Sequence, residues 1–279
     1  MKIGDMTIEA IIDGECVMPL EAGYNNKGPA DWKEFESFLP HEAGHNNLFT
    51  LGGYLVTYGD RRVLVDVGVG PKATFPFTGG GFRSALLHKG VRSGDITDVI
   101  FTHLHNDHIG WASIDGKPYF ENAEYHVDKR DWDYFVREDY PMPEWEQAFT
   151  DPAVDAAFVR LAPIADRIHF FEGDDSVLPG IESWEASGHT PGTTVLKLTD
   201  HGESGALIGD LTHTEPELIA DDWDFMAHGD HEAGLASIER VRKRLYDEKL
   251  VFAAAHYPGM HFGRLTLNDG RFGYEQLED

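Results

Sequence analysis

The segment Thr102-His103-Leu104-His105-Asn106-Asp107-His108-Ile109-Gly110 decides the fold, because it places metal-binding side chains directly after an apolar run. Four potential ligands fall within residues 103–108. We predict a buried strand over residues 95–103, in which His103 and His105 would point to one face and bind one ion together. Asp107 and His108 follow the turn and would face a second ion. Without a cation, such polar groups packed at a strand end would be costly to desolvate.

Three further metal-competent residues end or follow apolar strands in glycine-rich turns. His189 lies in Ser187-Gly188-His189-Thr190-Pro191-Gly192, Asp210 follows Gly209, and His256 follows residues 252–255. Taken singly, each has a structural explanation: His189 as a turn cap, Asp210 as a turn acid and His256 as a core hydrogen-bonding group. Taken together, the strand ends predict one binuclear metal site.

The periodicity of the chain predicts strands first, helices interleaved, and strands again. Predicted strands cover residues 6–12, 124–127, 181–186, 194–198, 206–208 and 251–255, with a hairpin of 47–58 and 62–67 around Tyr58-Gly59-Asp60. Predicted helices cover residues 83–89, about 129–138, 144–165 with breaks at Pro152 and Pro163, and an amphipathic segment carrying Leu235, Ile238, Val241 and Leu245. We therefore expect a single domain, 1–279, built as a layered sheet sandwich covered by helices.

Composition restricts the function classes. The 279 residues include 49 acidic and 23 basic side chains, giving a formal charge of −26, which disfavours binding to nucleic acid or anionic lipid. Cys16 is the single cysteine, so an intramolecular disulfide and a cysteine-based zinc cluster are both excluded. Any metal must be held by histidine and carboxylate.

The start of the chain does not have the pattern of an export signal. Met1-Lys2-Ile3-Gly4-Asp5 lacks a charged region followed by an apolar one, and the hydrophobic runs are shorter than the roughly 20 residues of a spanning helix. We expect a cytoplasmic protein without a membrane partner, with a removed export signal as the alternative.

The His-x-His-x-Asp-His run, the Ser-Gly-His-Thr-Pro-Gly turn, Gly209-Asp210 and His256 resemble the metallo-β-lactamase superfamily. The resemblance covers most of the chain and implies an α+β fold, a four-layer αββα sandwich with two metal ions at one edge of its sheets. By the family pattern, the first ion would be held by His103, His105 and His189, the second by Asp107, His108 and His256, with Asp210 bridging. Asp66 matches the strand-end aspartate that supports the ligands from behind.

Several features narrow the resemblance. Cys16 is distant in sequence from every motif, so the cysteine-containing zinc β-lactamases are disfavoured. A bridging Asp210 is similar to glyoxalase II, the acyl-homoserine lactonases and the methyl-parathion-hydrolase-like group. The lactonase pattern has a tyrosine three residues after this aspartate, where this chain has His213. Residues 121–126 with Trp132, and 256–260 with Phe262, resemble instead the methyl-parathion-hydrolase-like group.

The resemblance and the ligand set predict a hydrolase of carboxylic esters or lactones, of the acyl-homoserine lactone or aryl ester type. Two cations about 3.5–4 Å apart would share a water and Asp210 and lower the pKa of that water. Asp107 would take the proton of the hydroxide and pass it to the leaving group. His213 would contact either the substrate oxygen or a ligand. The alternatives are a phosphotriester hydrolase, a thioester hydrolase of the glyoxalase II type, and a non-catalytic metal-binding protein.

The cofactor expected is a pair of divalent ions, with zinc as the default and manganese, iron or cobalt as alternatives. The expected partner is a small-molecule substrate, and a homodimer is implied by the resemblance only. Apolar residues near the motifs would form a substrate pocket: Phe75, Phe77, Phe82, Trp111, Met260 and Phe262.

Overall fold

The computed structural model describes residues 1–277. Its strands are β1 (Lys2–Ile3), β2 (Met6–Pro19), β3 (Asn46–Tyr58), β4 (Arg61–Val65), β5 (Ala73–Thr74), β6 (Phe77–Thr78), β7 (Asp98–Ile100), β8 (Ser113–Ile114), β9 (Lys117–Pro118), β10 (Glu124–Asp128), β11 (Ile168–Phe171), β12 (Asp175–Leu178), β13 (Ile181–Glu185), β14 (Thr194–Asp200), β15 (Glu203–Leu207), β16 (Val251–Ala253), β17 (Gly263–Asn268) and β18 (Arg271–Gln276). Its α-helices are α1 (Phe82–His88), α2 (Asn106–Ile109), α3 (Lys129–Phe135), α4 (Glu144–Gln147), α5 (Ala157–Arg160), α6 (Glu215–Ile219) and α7 (His231–Asp247).

Two large mixed sheets carry the fold. The first has the order β11-β10-β7-β4-β3-β2-β6-β5, with β1 paired to β2, and the second has the order β12-β13-β14-β15-β16-β17-β18. The predicted hairpin is confirmed as β3 and β4, which pair from Tyr58↔Arg61 to Tyr54↔Val65. Strands β4, β7, β10 and β11 are parallel, so their carboxyl ends meet at one edge of the first sheet.

Three apolar layers hold four layers of secondary structure together, because strand side chains alternate between faces. Val63 and Val65 of β4 pack between the two sheets with Leu196 of β14. Leu64, on the opposite face of β4, packs with Phe82 and Leu86 of α1. On the far side of the second sheet, Trp184 of β13 packs with Ile238, Val241 and Leu245 of α7. The molecule is the predicted α+β sandwich of αββα layers.

Two regions differ from the sequence-based prediction. Residues 144–165 are mainly turns between the short helices α4 and α5, since Pro152 and the small, acidic residues around it do not support a long helix. The strands β11, β12, β17 and β18 were not predicted. β17 and β18 form an exposed edge hairpin, whose mixed polar and aromatic sequence lacks a clear apolar alternation.

No helix in the described part of the chain is both long enough and apolar enough to cross a membrane.

Candidate metal centre

The histidine-rich segment leaves the first sheet earlier than the sequence predicts. β7 ends at Ile100, and residues 101–105 form an extended connection that leads into α2. The expected strand through His103 is therefore wrong, and the two-residue period is not what aligns His103 with His105. Their rings nevertheless meet, with His103 Nε2 lying 3.0 Å from His105 Nδ1.

A first group of ligand atoms consists of His103, His105 and His189. His189, which follows β13, places its Nε2 2.9 Å from His105 Nδ1. Zn–N bonds of about 2.0–2.1 Å in a tetrahedral site place neighbouring nitrogens roughly 3.3 Å apart. The three nitrogens are thus spaced closely enough to share one ion, and the trio forms one of the metal-competent groups of the chain.

A second group consists of Asp107, His108 and His256. Asp107 and His108 lie on α2, while His256 follows β16 in the other sheet. The Nε2 atom of His108 is 3.8 Å from Asp107 Oδ1, and that of His256 is 3.6 Å from Asp107 Oδ2. These atoms form a second metal-competent group beside the first.

Asp210 lies between the two groups. Its Oδ1 is 3.2 Å from His108 Nε2, and its Oδ2 is 3.7 Å from His103 Nε2 and 3.1 Å from His256 Nε2. Burial opposes its ionisation, but His108, His256 and His103 hold the pKa of Asp210 well below its usual range. A buried carboxylate with one oxygen toward each group is suited to a bridging position.

Hydrogen bonds behind the ligands fix which ring nitrogen faces the centre. Thr102 Oγ1 donates to Asp66 Oδ2 (2.7 Å), and Asp66 Oδ2 also accepts from His108 Nδ1 (2.9 Å). On the opposite sheet, His256 Nδ1 donates to the carbonyl of Thr50 (3.0 Å). Because each Nδ1 donates outward, Nε2 is the ring nitrogen that faces the centre in both residues. Asp66 accepts these hydrogen bonds from a left-handed backbone conformation (φ 59°), which is uncommon for a residue other than glycine.

Unpartnered atoms at the centre provide a test of whether the site fits metal ions. Within residues 1–277, His108 Nε2 and Asp210 Oδ1 are buried and, despite their 3.2 Å separation, lack hydrogen-bond geometry. Burial lowers the pKa of His103 and His189 well below the usual range, and neighbouring histidines lower it further. His103 and His189 are therefore neutral, and imidazole nitrogens beside an anionic carboxylate are the donor set that divalent transition metals favour. The residues fit a metal pair.

Two glycines allow the ligand-bearing turns to approach their neighbours. Gly188 has φ 139°, and a Cβ atom there would lie 2.2 Å from the backbone nitrogen of Gly234. Gly209 has φ 51°, and a Cβ atom there would lie 2.9 Å from Thr102. Larger residues at either position would displace the ligand that follows, His189 or Asp210.

Asp131 of α3 connects two ligand-bearing loops and was not anticipated from the sequence. It is fully buried and accepts hydrogen bonds from the backbone of Leu104 (3.1 Å) and Gly192 (2.6 Å) and from the Thr190 hydroxyl (2.9 Å). Burial raises the pKa of Asp131 to about 7, and these hydrogen bonds oppose the shift. The carboxyl therefore fixes His103, His105 and His189 through their neighbours.

His213 itself forms a metal-competent group with His189 and Asp210, and its Nε2 lies 3.2 Å from Asp210 Oδ2. Its backbone N–H donates to Glu217 Oε2 (2.7 Å), and its Nδ1 lies 3.3 Å from the same oxygen. Burial lowers the pKa of His213, but Glu217 and Asp210 overcome this effect and raise it to about 9. His228, to which the sequence pattern gave no role, joins this network through contacts of its ring with Glu217 (3.5 Å) and His189 (3.4 Å).

A cavity of about 80 Å³ opens onto Asp107, Asp210 and His213. Apart from the metal-competent groups, its lining is mostly apolar, with residues from distant segments: Cys16, Met18, Phe49, Leu51, Phe77, Trp145, Phe149, Phe225, Met226 and Ala227.

Of the six apolar residues expected to form the pocket, only Phe77 lines this cavity. Phe82 and Trp111 are buried under the first sheet, and Met260 and Phe262 are buried between the sheets. Phe75 is 80% exposed. Nearness in sequence to the ligand motifs is a poor guide here, because the wall combines side chains of β2, β3 and β6 with those of the distant segments 145–149 and 225–227.

Cys16 is distant from the motifs in sequence but lines the cavity. It belongs to none of the metal-competent groups formed by the described residues. Burial raises the pKa of its thiol to about 12, with the Asp107 charge adding to the effect. The thiol is protonated and a poor ligand, consistent with a site built from histidine and carboxylate.

Comparison with known proteins identifies the class. The metallo-beta-lactamase superfamily pattern matches residues 53–256, which is well over half of the chain. The chain therefore belongs to this superfamily, as the sequence motifs predict.

Curated relatives are N-acyl homoserine lactonases. One from Bacillus cereus is 27% identical over 221 residues, covering 78% of this chain and 73% of that protein. Another, from Bacillus thuringiensis, is 26% identical over 174 residues, covering 61% of this chain and 60% of its own length. The matched segment thus spans less than two thirds of the Bacillus thuringiensis protein.

Solved structures share the whole architecture. AidC, a dizinc quorum-quenching lactonase solved with a product, superposes with a TM-score of 0.85 at 23% identity, covering 100% of this chain and 97% of AidC. The hydrolase AbOPH gives a TM-score of 0.83 at 24% identity, covering 100% of this chain and 96% of its own. At these identities the structures establish the common fold.

Proposed function

We propose that this protein is a binuclear metal-dependent hydrolase of carboxylic esters or lactones. The ligands would be His103, His105 and His189 for one ion, Asp107, His108 and His256 for the other, and Asp210 for both. The observation that carries the proposal is the position of Asp210 between two metal-competent groups, at the base of an apolar cavity. Zinc is the default metal, with manganese, iron or cobalt as alternatives.

When bound, the metal pair would supply hydroxide near neutral pH and polarise the substrate carbonyl. The protein's own contribution is to orient the ligands and to exclude water. Asp66 and the Thr50 carbonyl hold His108 and His256 in fixed tautomers. The apolar wall surrounds the reacting bond with groups that cannot compete for the carbonyl oxygen.

Asp107 is the proposed proton carrier. Its side chain is 15% exposed and lines the cavity, whereas the side chains of Asp210 and His108 are almost fully enclosed. Neither oxygen of Asp107 is within 3.5 Å of the nearby histidine nitrogens, so an oxygen is free to take a proton from the attacking water. Transfer of that proton to the departing alkoxide would complete hydrolysis.

His213 is the proposed polar contact to the substrate. Glu217 accepts from its backbone and faces its Nδ1, which leaves Nε2 directed into the cavity lining beside Asp210. Burial lowers the pKa of His213, but Glu217 and Asp210 raise it to about 9. The ring is then positively charged at neutral pH and can donate a hydrogen bond to a substrate oxygen.

The relatives support the choice of substrate class. The curated relatives are N-acyl homoserine lactonases, and AidC is a lactonase with two zinc ions. An acyl chain would suit the apolar wall, with the lactone or ester carbonyl at the metal pair. We therefore favour acyl-homoserine lactones or aryl esters as substrates.

A substrate panel tests the proposal. Purified protein, loaded separately with zinc, manganese and cobalt, should hydrolyse acyl-homoserine lactones or aryl esters, and chelation should abolish turnover until metal is restored. Turnover of aryl phosphotriesters or of thioesters in place of these substrates would replace the proposal with the corresponding activity. Equal turnover by chelated, metal-free protein would refute the metal-dependent mechanism altogether.

A further inference from the structure

Glu146 is a buried acid on the cavity wall that the metal chemistry does not use. It lies on α4, is 6% exposed, and lines the same cavity as Asp107. It belongs to none of the metal-competent groups found among the described residues. A carboxyl group in an apolar wall is costly to bury unless it forms hydrogen bonds, so the partners of its two oxygens indicate its role.

One oxygen of this carboxyl is held by the protein and the other is free. The Tyr140 hydroxyl donates to Glu146 Oε2 at 2.6 Å, which fixes the orientation of the group. Within residues 1–277, no donor forms a hydrogen bond with Oε1, and this oxygen is not among the fully buried atoms. Burial raises the pKa of Glu146 to about 7, Tyr140 opposes the shift, and the charge of Asp107 adds to it.

Outside the proposed ligands and His213, the other wall residues with polar side chains are Asn106 and Thr150. Asn106 Nδ2 donates to Thr150 Oγ1 at 2.6 Å. The side chains nearest in sequence to Glu146, Trp145 and Phe149, are aromatic. A substrate that fills the cavity would therefore meet a single acidic acceptor in an otherwise apolar wall.

We propose that Glu146 is a specificity-determining residue that accepts a hydrogen bond from an N–H or O–H group of the substrate, next to the hydrolysed bond. The inference rests on the proposed ester or lactone hydrolysis and names a feature of its substrate. An N-acyl amide attached to the lactone ring carries such an N–H. A site built around a hydrogen bond rejects analogues that lack it, because the buried acceptor is then left unpaired.

The test compares two lactones that differ in this donor. One is N-hexanoyl homoserine lactone, and the other is the same molecule with the amide nitrogen methylated. Wild-type protein should prefer the N–H lactone by about tenfold or more in kcat/KM. Glu146→Leu should remove this preference by raising KM for the N–H lactone, with kcat/KM for the methylated lactone kept within about twofold.

Glu146→Gln provides a near-isosteric variant that keeps the packing of α4. Its amide oxygen can accept from Tyr140, which turns the NH₂ group, a donor, toward the cavity. The preference for the N–H lactone should be lost in this variant as well. Glu144→Gln is the matched control, because Glu144 lies on the same helix and is exposed, and it should retain the wild-type preference.

Binding of the ring-opened products separates this inference from the proposed function. Calorimetry with N-hexanoyl homoserine and its N-methyl analogue should show a preference in wild-type protein that both Glu146 variants lose. If neither lactone is hydrolysed while this binding preference is present and depends on Glu146, the proposed function fails and the inference stands. Equal losses for both compounds in the variants, or no preference in wild-type protein, would overturn the inference.

Discussion

The metal centre and the cavity wall lie side by side but are built by different means. The metal centre comprises the seven proposed ligands, whose turns follow strands of both sheets and are fixed by buried hydrogen bonds such as those of Asp66 and Asp131. The cavity wall comprises the apolar residues of segments 16–18, 49–51, 145–149 and 225–227 with Phe77. Its shape depends on side-chain packing of segments 145–149 and 225–227 against β2, β3 and β6, with Lys72 among the few polar links, bonded to the Phe149 carbonyl and to Asp155.

This difference in construction indicates that the metal centre and the cavity wall have different functions. The metal centre needs each donor atom placed to within a few tenths of an ångström, which hydrogen bonds to rigid strands can provide. The wall needs only volume and polarity suited to a substrate, and loops can change both without disturbing the sheets. Changes in the centre should therefore affect turnover and metal content, whereas changes in the wall should affect substrate choice.

The largest effect is expected for Asp107→Asn. Loss of the proton carrier should lower kcat by about 10²–10⁴-fold, with a smaller change in binding of a product. Steady-state kinetics combined with elemental analysis would separate a proton-transfer defect from metal loss. Asp139→Asn, an exposed aspartate (side chain 87% exposed), is the control. A fully metallated variant with wild-type kcat would rule out this role for Asp107.

A smaller effect is expected for Asp66→Asn, which changes a residue behind the ligands. An amide has one acceptor oxygen, so it cannot keep all three hydrogen bonds that the two oxygens of Asp66 accept from the Thr102 backbone, the Thr102 hydroxyl and His108. Metal affinity should fall by about 10–100-fold in competition with a chromophoric chelator. Asp60→Asn, in the exposed turn between β3 and β4, should leave affinity unchanged. Equal affinities for all three proteins would contradict the role assigned to Asp66.

A substitution in the cavity wall should change substrate preference and leave the metal centre intact. Phe149→Ala enlarges the cavity where Phe149 packs edge-on against Phe77, with ring centroids 5.9 Å apart. KM for a long-chain acyl substrate should rise about tenfold, while kcat and KM for an acetyl substrate should change little. Phe170→Ala removes a 48%-exposed phenylalanine of β11 and serves as the control. A uniform loss of kcat across chain lengths would place Phe149 in the catalytic machinery instead.

The smallest effect on catalysis is expected for Glu215→Gln, which should change stability with pH. Burial raises the pKa of Glu215 from 4.5 to about 7, opposed by a hydrogen bond from its own backbone. The folded state then binds more protons than the unfolded state between these values, so the wild-type contribution to stability falls as pH rises from 4.5 to 7.

The glutamine variant lacks this dependence. Relative to wild type, it should gain stability across that range and reach an advantage on the order of 2 kcal/mol at pH 8. Urea unfolding of metal-loaded protein at pH 4.5 and pH 8 measures the difference, with exposed Glu121→Gln as control. A variant whose relative stability is the same at both pH values would contradict the raised pKa.

The two regions also differ in how far the sequence predicts them. The donors are histidines and carboxylates in short motifs that follow apolar strands, so the pattern predicted a layered sheet sandwich and the seven candidate ligands, and the resemblance to the metallo-β-lactamase superfamily added the αββα order of the layers. Even there, the reasoning from strand period failed for His103 and His105, because β7 ends at Ile100.

The sequence by itself determined the fold class and the donor chemistry, since periodicity and residue type are local properties of the chain. Only the tertiary structure decided which side chains line the cavity and which pack behind the candidate ligands. Trp145, Glu146, Phe225 and His228 carry no motif, and their roles arise from contacts between segments far apart in sequence. Those contacts depend on how segments 145–149 and 225–227 pack against strands of the first sheet, and the spacing of residues along the chain does not predict that packing.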